Sequence, residues 1–115
     1  MALKILVAED EEITLKHLLY ALGKEGHAVT GAKNGTDALK RIEKEEFELL
    51  ISDIKMPGID GLSLLSEVKN KYPGMDVIII TGFGSIESAV EAMKKGATDY
   101  ITKPFNLDEL NLKIN

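Results

Sequence analysis

The chain has 115 residues, of which 44% are apolar and 29% are charged, a composition that predicts one globular domain with a sizeable core. Its 14 basic and 19 acidic residues give a formal net charge of −5, which argues against direct nucleic-acid binding because phosphate contacts need a basic surface. It has no cysteine, no apolar run near the roughly 20 residues of a membrane helix and no signal sequence. We therefore expect a cytoplasmic protein without disulfides or membrane contact.

Short apolar runs that predict strands alternate along the chain with segments of helical periodicity. The predicted strands cover residues 4–8, 27–30, 49–51, 77–80 and 99–102. Between the strands, apolar residues recur with the period of a helix, and we expect the leucine stripes among them to face the core. These stripes are Leu15, Leu18, Leu19 and Leu22; Ala38, Leu39 and Ile42; Leu62, Leu65 and Val68; and Ile86, Ala89, Val90 and Met93.

Polar residues and glycines mark several of the predicted helix ends. Asp60 and Asn106 precede the third and fifth helices, where their side chains can accept hydrogen bonds from free N–H groups. Gly23 and Gly96 follow the first and fourth helices and are typical of helix stops. Five strands interleaved with five helices predict a (βα)5 fold: a doubly wound, five-stranded parallel sheet with the three-layer, flavodoxin-like architecture.

Carboxylates, a hydroxyl and an ammonium group follow four of the predicted strands. Glu9 and Asp10 follow the first strand, Asp53 the third, Thr81 the fourth and Lys103 the fifth. Because the carboxyl ends of parallel strands lie at one edge of a sheet, these side chains should converge on one small site. This set fits a hard divalent cation and a phosphoryl group, and Mg²⁺ is expected because it prefers oxygen ligands.

The turn after the first strand argues against a bare phosphate or a flavin as the ligand. It reads AEDEE over residues 8–12, whereas nucleotide-binding proteins of this architecture place glycines or hydroxyls there. Zinc is not expected either, because the spacing of His17 and His27 matches no zinc pattern. We expect both histidines at the surface or at the boundary of the core.

Four segments of the chain resemble the receiver domains of bacterial two-component response regulators. They are residues 5–11 (ILVAEDE), 50–61 (LISDIKMPGIDG), 80–82 (ITG) and 100–105 (YITKPF). Each segment is a weak signal alone, but all four in this order and at this spacing make a strong one. The resemblance covers essentially the whole chain and implies one receiver domain over residues 1–115 with a truncated last helix.

The resemblance implies that Asp53 is a phospho-acceptor. Mg²⁺ would be held by Glu9, Asp10, Asp53 and the backbone carbonyl of Lys55. Glu9 departs from the aspartate that is commoner at its position and is one methylene longer, so its metal contact is either direct or bridged by water. An ionised Asp53 would be the nucleophile and would need no general base.

The resemblance also implies roles for residues that follow the last two strands. Thr81 would hydrogen-bond the phosphoryl group, and Lys103 would pair with it. The Lys103–Pro104 peptide bond is expected to be cis, a state found in about 5–6% of such bonds. On phosphorylation Thr81 would move toward the phosphate and Tyr100 would rotate inward, which changes the surface formed by the helix near residues 85–95 and the fifth strand.

Residues 82–97 (GFGSIESAVEAMKKGA) resemble receivers of the NtrC type. Those receivers are fused to AAA+ ATPase and DNA-binding regions of transcription activators, so the resemblance implies an output region that this chain lacks. The implied partners are a sensor histidine kinase and, after phosphorylation, a second receiver. The domain would be a signalling module that catalyses only its own phosphorylation and dephosphorylation.

Two alternatives remain open at this stage. A phosphatase of the haloacid dehalogenase type also uses a strand-end aspartate, Mg²⁺ and a lysine. It should carry a second aspartate two residues after the nucleophile, where this chain has Lys55, and no cap insertion is present. The other alternative is a receiver-like docking module that is never phosphorylated, and the intact set of strand-end residues argues against it.

Overall fold

Strands and helices alternate along the chain, as the sequence predicts. The computed structural model describes residues 2–82 and 86–114. Its elements are β1 (Lys4–Ala8), α1 (Glu12–Lys24), β2 (Ala28–Ala32), α2 (Gly35–Lys44), β3 (Leu49–Asp53), α3 (Gly61–Lys71), β4 (Asp76–Thr81), α4 (Ile86–Lys94), β5 (Asp99–Thr102) and α5 (Leu107–Ile114). The strands pair in parallel in the order β2-β1-β3-β4-β5, which confirms the predicted doubly wound fold.

Helices cover both faces of the sheet and divide the core in two. On one face, α1 and α5 contribute Leu15, Leu18, Leu22 and Leu110, which cluster with Ile5, Val7, Ile51, Ile78 and Ile80 of the strands. On the other face, α2, α3 and α4 contribute Ala38, Ile42, Leu64, Leu65, Val68 and Ala92, which cluster with Leu6, Leu50, Val77 and Ile79. Since successive strand residues point to opposite faces, the central strands are apolar without a break.

Side chains that accept N–H groups begin three of the helices. Asp60 accepts the N–H of Ser63 at 2.8 Å, and Asn106 accepts the N–H of Glu109 at 2.6 Å, so both predicted N-caps are confirmed. Asn34 caps α2 in the same way, accepting the N–H of Asp37 at 2.7 Å. Each cap satisfies a donor that the helix itself leaves unpaired.

Several element boundaries differ by one or two residues from the sequence-based prediction; β3 and β4, for example, extend to Asp53 and Thr81. The second strand covers Ala28–Ala32 and so continues beyond residue 30. Gly31 continues that strand because it pairs with Val7 of β1. Helix α1 packs closely there, since a methyl group at Gly31 would lie 3.1 Å from a Leu19 methyl. Gly23 does not stop α1, which ends at Lys24, and Gly26 adopts the positive φ of 94° in the turn that follows.

The apolar period of α4 does not correspond to a buried face in the way that the period of α1 does. Val90 and Met93 are 44% and 48% exposed, whereas Ala92 is completely buried. The helix thus rests on the sheet through a small residue, and the larger apolar side chains lie away from the core. The side chain of Ile86 lies outside the described part of the structure. None of the described helices is long and apolar enough to span a bilayer.

Candidate functional site

The strand register brings the predicted site residues to one edge of the sheet. Ala8 of β1 lies beside Ser52 of β3, and Thr81 of β4 lies beside Thr102 of β5. The residues at the carboxyl ends of β1, β3, β4 and β5 therefore lie next to one another. This edge is where ligands bind in open parallel sheets.

Three carboxylates form the centre of this site. One oxygen each from Glu9, Asp10 and Asp53 lies within 4.8 Å of the other two. Glu9 and Asp53 are buried, at 2% and 8% exposure, whereas Asp10 is exposed. The Glu9 N–H donates to the carbonyl of Ala32 at 3.0 Å, and Glu9 Oε2 accepts the N–H of Glu11 at 3.1 Å. The convergence of these carboxylates, predicted from three positions in the sequence, is therefore present.

Lys103 crosses the site and bridges two of the carboxylates. Its Nζ donates to Glu9 Oε1 at 2.5 Å and to Asp53 Oδ2 at 3.0 Å. Its backbone N–H donates to the carbonyl of Thr81 at 2.9 Å. The Lys103–Pro104 peptide bond is cis, as predicted. Lys103 is thus fixed at both its backbone and its ammonium group.

The pKa values of Glu9 and Lys103 are both raised, which favours the neutral form of the carboxyl group and the charged form of the ammonium group. Burial raises the pKa of the Glu9 carboxyl and the charge of Asp53 adds to this, while the hydrogen bond from Lys103 opposes it. Burial lowers the pKa of Lys103, but its hydrogen bonds and charge interactions with Glu9 and Asp53 outweigh that effect, and its pKa is raised. Lys103 therefore remains an ammonium at neutral pH, and one ammonium faces three acidic groups.

The loop after β3 and the end of β4 complete the site. The N–H of Lys55 donates to Asp53 Oδ1 at 3.4 Å, and the Lys55 side chain is exposed. Thr81 is completely buried. On the neighbouring strand β5, half-buried Tyr100 pairs with Ile79 of β4, and its hydroxyl lies 3.0 Å from that of Ser88, which links β5 to α4. Thr81 and Tyr100 therefore lie on the adjacent strands β4 and β5.

Comparison with known proteins decides the family. A family model described as response regulator receiver domain matches residues 5–115. The chain belongs to the response regulator receiver family. A putative NtrX-like response regulator of Rickettsia felis is 47% identical over 111 residues, which are 94% of this chain and 23% of that protein.

Solved receiver structures share the fold as well as the sequence. A CheY-like receiver domain from Methanospirillum hungatei superposes with a TM-score of 0.94 at 36% identity, covering 99% of this chain and 91% of the other. The beryllofluoride-activated NtrC4 receiver domain dimer gives a TM-score of 0.91 at 37% identity, covering 96% of this chain and 92% of the other. The predicted resemblance to NtrC-type receivers is confirmed. The chain spans 22% and 50% of the lengths of two other curated relatives.

The donor set of this receiver fits a hard cation. Carboxylate oxygens are the ligands that Mg²⁺ prefers, and it is usually held by one or two carboxylates together with waters. Glu9, Asp10 and Asp53 offer oxygens close enough together for such an ion, and the exposed Asp10 keeps one side open to water. The part of Lys55 in metal binding stays a prediction.

Sequence reasoning missed two features of the surroundings of the site. The direct bond between Glu9 and Lys103 was not foreseen, although the extra methylene of glutamate was the available signal. A cavity of about 460 Å³ also opens beside the site, lined by Ile13, Thr14, His17, Lys103, Pro104 and Phe105. Ile13 is 80% exposed, and its position off the leucine stripe of α1 could have pointed to this surface. His17 is exposed, as expected. His27 is buried instead, because its Nδ1 accepts the N–H of Leu3 at 3.0 Å, next to the start of β1.

Proposed function

We propose that this receiver takes a phosphoryl group from a histidine kinase onto Asp53 with the help of Mg²⁺. The observation that supports this most directly is the setting of Asp53. Its carboxylate lies at the end of β3, 3.0 Å from the ammonium of Lys103 and within 4.8 Å of two further carboxylates. In this setting, the Asp53 carboxylate has neighbours that could support its proposed role as the nucleophile in phosphoryl transfer.

The transfer would exchange one bond to phosphorus for another. A carboxylate oxygen of Asp53 forms a P–O bond while the P–N bond of the kinase phosphohistidine breaks, and the departing imidazole nitrogen takes up a proton. Later, water attacks the phosphorus, inorganic phosphate leaves and the carboxylate of Asp53 is regenerated. The protein contributes position and charge rather than a general base.

The negative charge on both reactants is the main obstacle, and the site contains groups that can offset it. Glu9, Asp10, Asp53 and the Lys55 carbonyl would hold Mg²⁺, which when bound supplies positive charge to the phosphoryl oxygens. Lys103 bridges Glu9 and Asp53 and is placed to turn its ammonium to a phosphoryl oxygen on Asp53. Thr81, at the end of the neighbouring strand, would hydrogen-bond another.

The surface beside the site suits a kinase that must bring a phosphohistidine to Asp53. The cavity next to Lys103 is bordered by exposed Ile13 of α1 and half-buried Phe105. Exposed apolar groups at a polar rim are typical of protein contacts. A kinase seated there would have its histidine within reach of the site.

The output of phosphorylation would be a change in the face formed by α4 and β5. Thr81 moving toward the phosphate would free space for Tyr100, which now contacts Ser88 of α4. The changed face would bind a second receiver and release an AAA+ and DNA-binding output region of the transcription-activator type. Relatives bearing names such as DNA-binding transcriptional regulator NtrC support this part of the proposal.

The proposal is tested by treating the protein with Mg²⁺ and a small phosphodonor and then locating the added phosphate by mass. We expect one acid-labile phosphate on Asp53, none in Asp53→Asn, and none without Mg²⁺. Asp76→Asn is the matched control, because Asp76 is exposed and begins β4 at the opposite edge of the sheet; it should label as the wild type does. Equal labelling of Asp53→Asn would contradict the assignment.

The two alternatives predict different results in this labelling experiment and in a phosphatase assay. A docking module would show no phosphate on any residue while still binding a kinase. A phosphatase of the haloacid dehalogenase type would hydrolyse small phosphomonoesters with turnover. The match to the receiver family gives no support to this phosphatase alternative.

A further inference from the structure

Two glycines hold the loop that follows Asp53 in close contact with the first turns of two helices. This loop, residues 54–60, connects β3 to α3 and is called the β3–α3 loop below. A methyl group at Gly61, the first residue of α3, would overlap the carbonyl oxygen of Asp53 and lie 2.8 Å from the Cα of Ile54. A methyl group at Gly35, the first residue of α2, would overlap the carbonyl oxygen of Ile59 and lie 2.9 Å from its Cβ.

Backbone conformation does not explain why glycine stands at these two positions. Among the described residues, the glycines with positive φ are Gly26, Gly58 and Gly96. Gly35 and Gly61 lie in the first turns of helices, where other residues are accommodated. Their common feature is the contact with backbone atoms of the β3–α3 loop, so what glycine supplies there is space.

The loop is also held by hydrogen bonds and burial along its length. The Gly61 N–H donates to the carbonyl of Ile54 at 2.7 Å, and Asp60 caps α3. Met56 is buried at 8% exposure. Because the loop is held at several residues, it cannot easily adjust when its backbone is displaced. A larger side chain at either glycine should therefore shift the backbone of Asp53 and Lys55.

We propose that Gly61 and Gly35 are positioning residues for phosphoryl acceptance, because they let α3 and α2 hold the β3–α3 loop where the Asp53 carboxylate and the Lys55 carbonyl face the same cation. Gly61 acts on the backbone of Asp53 itself, and Gly35 acts on the far end of the loop. This inference rests on the proposed function, since it assigns the two glycines to the same Mg²⁺ and phosphoryl site.

The test compares Gly61→Ala and Gly35→Ala with Gly23→Ala. Gly23 is also helical, has no atom within 4 Å of an added methyl and lies at the far end of α1. We expect Gly61→Ala to weaken Mg²⁺ binding by about tenfold, the scale seen when groups that orient metal ligands are changed. Gly35→Ala should weaken it less, and Gly23→Ala should leave it unchanged.

Two measurements separate positioning from simple stability. Mg²⁺ affinity is measured by titration under conditions where each variant is folded, and the thermal midpoint is measured without Mg²⁺. Lower midpoints with unchanged Mg²⁺ affinity in both folded variants would overturn the proposal. If Gly61→Ala fails to fold, Gly35→Ala decides, because its added methyl meets a surface loop rather than a strand.

Backbone amide shifts by NMR keep this inference distinct from the proposed function. Without metal, Gly35→Ala should move the amide signals of Asp53 and Lys55, and Gly23→Ala should not. Shifts confined to residues near 35 and 59 would overturn the inference even if the wild type is phosphorylated on Asp53. If the wild type bound no Mg²⁺ and took up no phosphate, the proposed function would fail instead.

Discussion

Helices α1 and α4 carry the same apolar period but use it differently. In α1, Leu15, Leu18 and Leu22 are all at most 8% exposed and pack against the sheet. In α4, Val90 and Met93 are nearly half exposed, and buried Ala92 makes the contact with the core. The period of a helix therefore tells which residues share a face, but not what covers that face.

The difference separates two helix surfaces. The committed side is the buried leucine face of α1 (Leu15, Leu18 and Leu22), and the available side is the exposed apolar face of α4 (Val90 and Met93). The leucines of α1 are buried in the core, so the exposed apolar surface of α1 is limited to separate side chains such as Ile13 and Tyr20. The exposed face of α4 includes a shallow cavity of about 340 Å³ lined by Glu87, Val90, Glu91 and Lys94. Apolar groups rimmed by charges are a common form of protein contact surface.

The largest effect is expected for a leucine on the committed side. Leu18→Ala should lower the free energy of unfolding by about 3 kcal/mol, because it removes a buried side chain and leaves a cavity. Ile13→Ala on the same helix is the control, since Ile13 is 80% exposed, and should change stability by no more than about 0.5 kcal/mol. Urea unfolding measures both. Similar losses would mean that α1 is not committed to the core.

A smaller effect, on association rather than folding, is expected on the available side. The double variant Val90→Ser with Met93→Gln should keep its stability within about 0.5 kcal/mol, since both side chains are already exposed. After beryllofluoride treatment, its dimer dissociation constant should rise about tenfold, or about 1.4 kcal/mol. Sedimentation measures this, with Ile13→Ser as the exposed apolar control on α1. An equal loss in the control would remove α4 as the contact surface.

The comparison extends to the strand ends that lead into the two helices, where buried Glu9 precedes α1 and neutral Thr81 precedes α4. Because the pKa of Glu9 is raised in the folded protein, folding favours its protonated form, and the stability it contributes falls as pH rises through the folded pKa. Glu9→Gln should therefore stabilise the metal-free protein at pH 7 by about 1 kcal/mol, the size of a typical single-residue effect.

The gain in Glu9→Gln should shrink as pH falls toward 4, because the raised pKa keeps the folded wild-type carboxyl protonated there and the unfolded one becomes protonated as well. Unfolding curves from pH 4 to 8 measure this trend, with Glu12→Gln as an exposed control in α1. A stability difference that is constant with pH would contradict the raised pKa of Glu9. If Glu9 binds Mg²⁺ as proposed, saturating Mg²⁺ should reverse the order of stability, because the variant would lack one cation ligand.

The fold and the convergence of the site residues were predicted well from the sequence. Both depend on the order of strands and helices along the chain and on which residues follow each strand. Glu9, Asp53 and Lys103 each follow a predicted strand, and in a parallel sheet the ends of the strands lie at the same edge, so these side chains must come close together. The exposure of Val90 and Met93 was not predictable, because it depends on how α4 is rotated on the sheet. The close contacts of Gly35 and Gly61 were not predictable either. Gly35 contacts Ile59, which is distant in sequence, and the contact of Gly61 with the Asp53 carbonyl depends on the path of the loop between them.

The smallest effect is expected for the polar contact between α4 and β5. Tyr100→Phe removes one partner of the 3.0 Å contact with the Ser88 hydroxyl and should cost at most about 0.5–1 kcal/mol of stability, the net value of a typical hydrogen bond. The same contact must break if Tyr100 rotates inward on phosphorylation, so its loss favours the active arrangement. Tyr100→Phe should label on Asp53 like the wild type and dimerise more tightly with beryllofluoride. Tyr20→Phe, at a position 68% exposed on α1, is the control and should change neither property. If Tyr100→Phe instead dimerised like that control, the Ser88 contact would have no part in the switch and the available side would depend on its apolar groups alone.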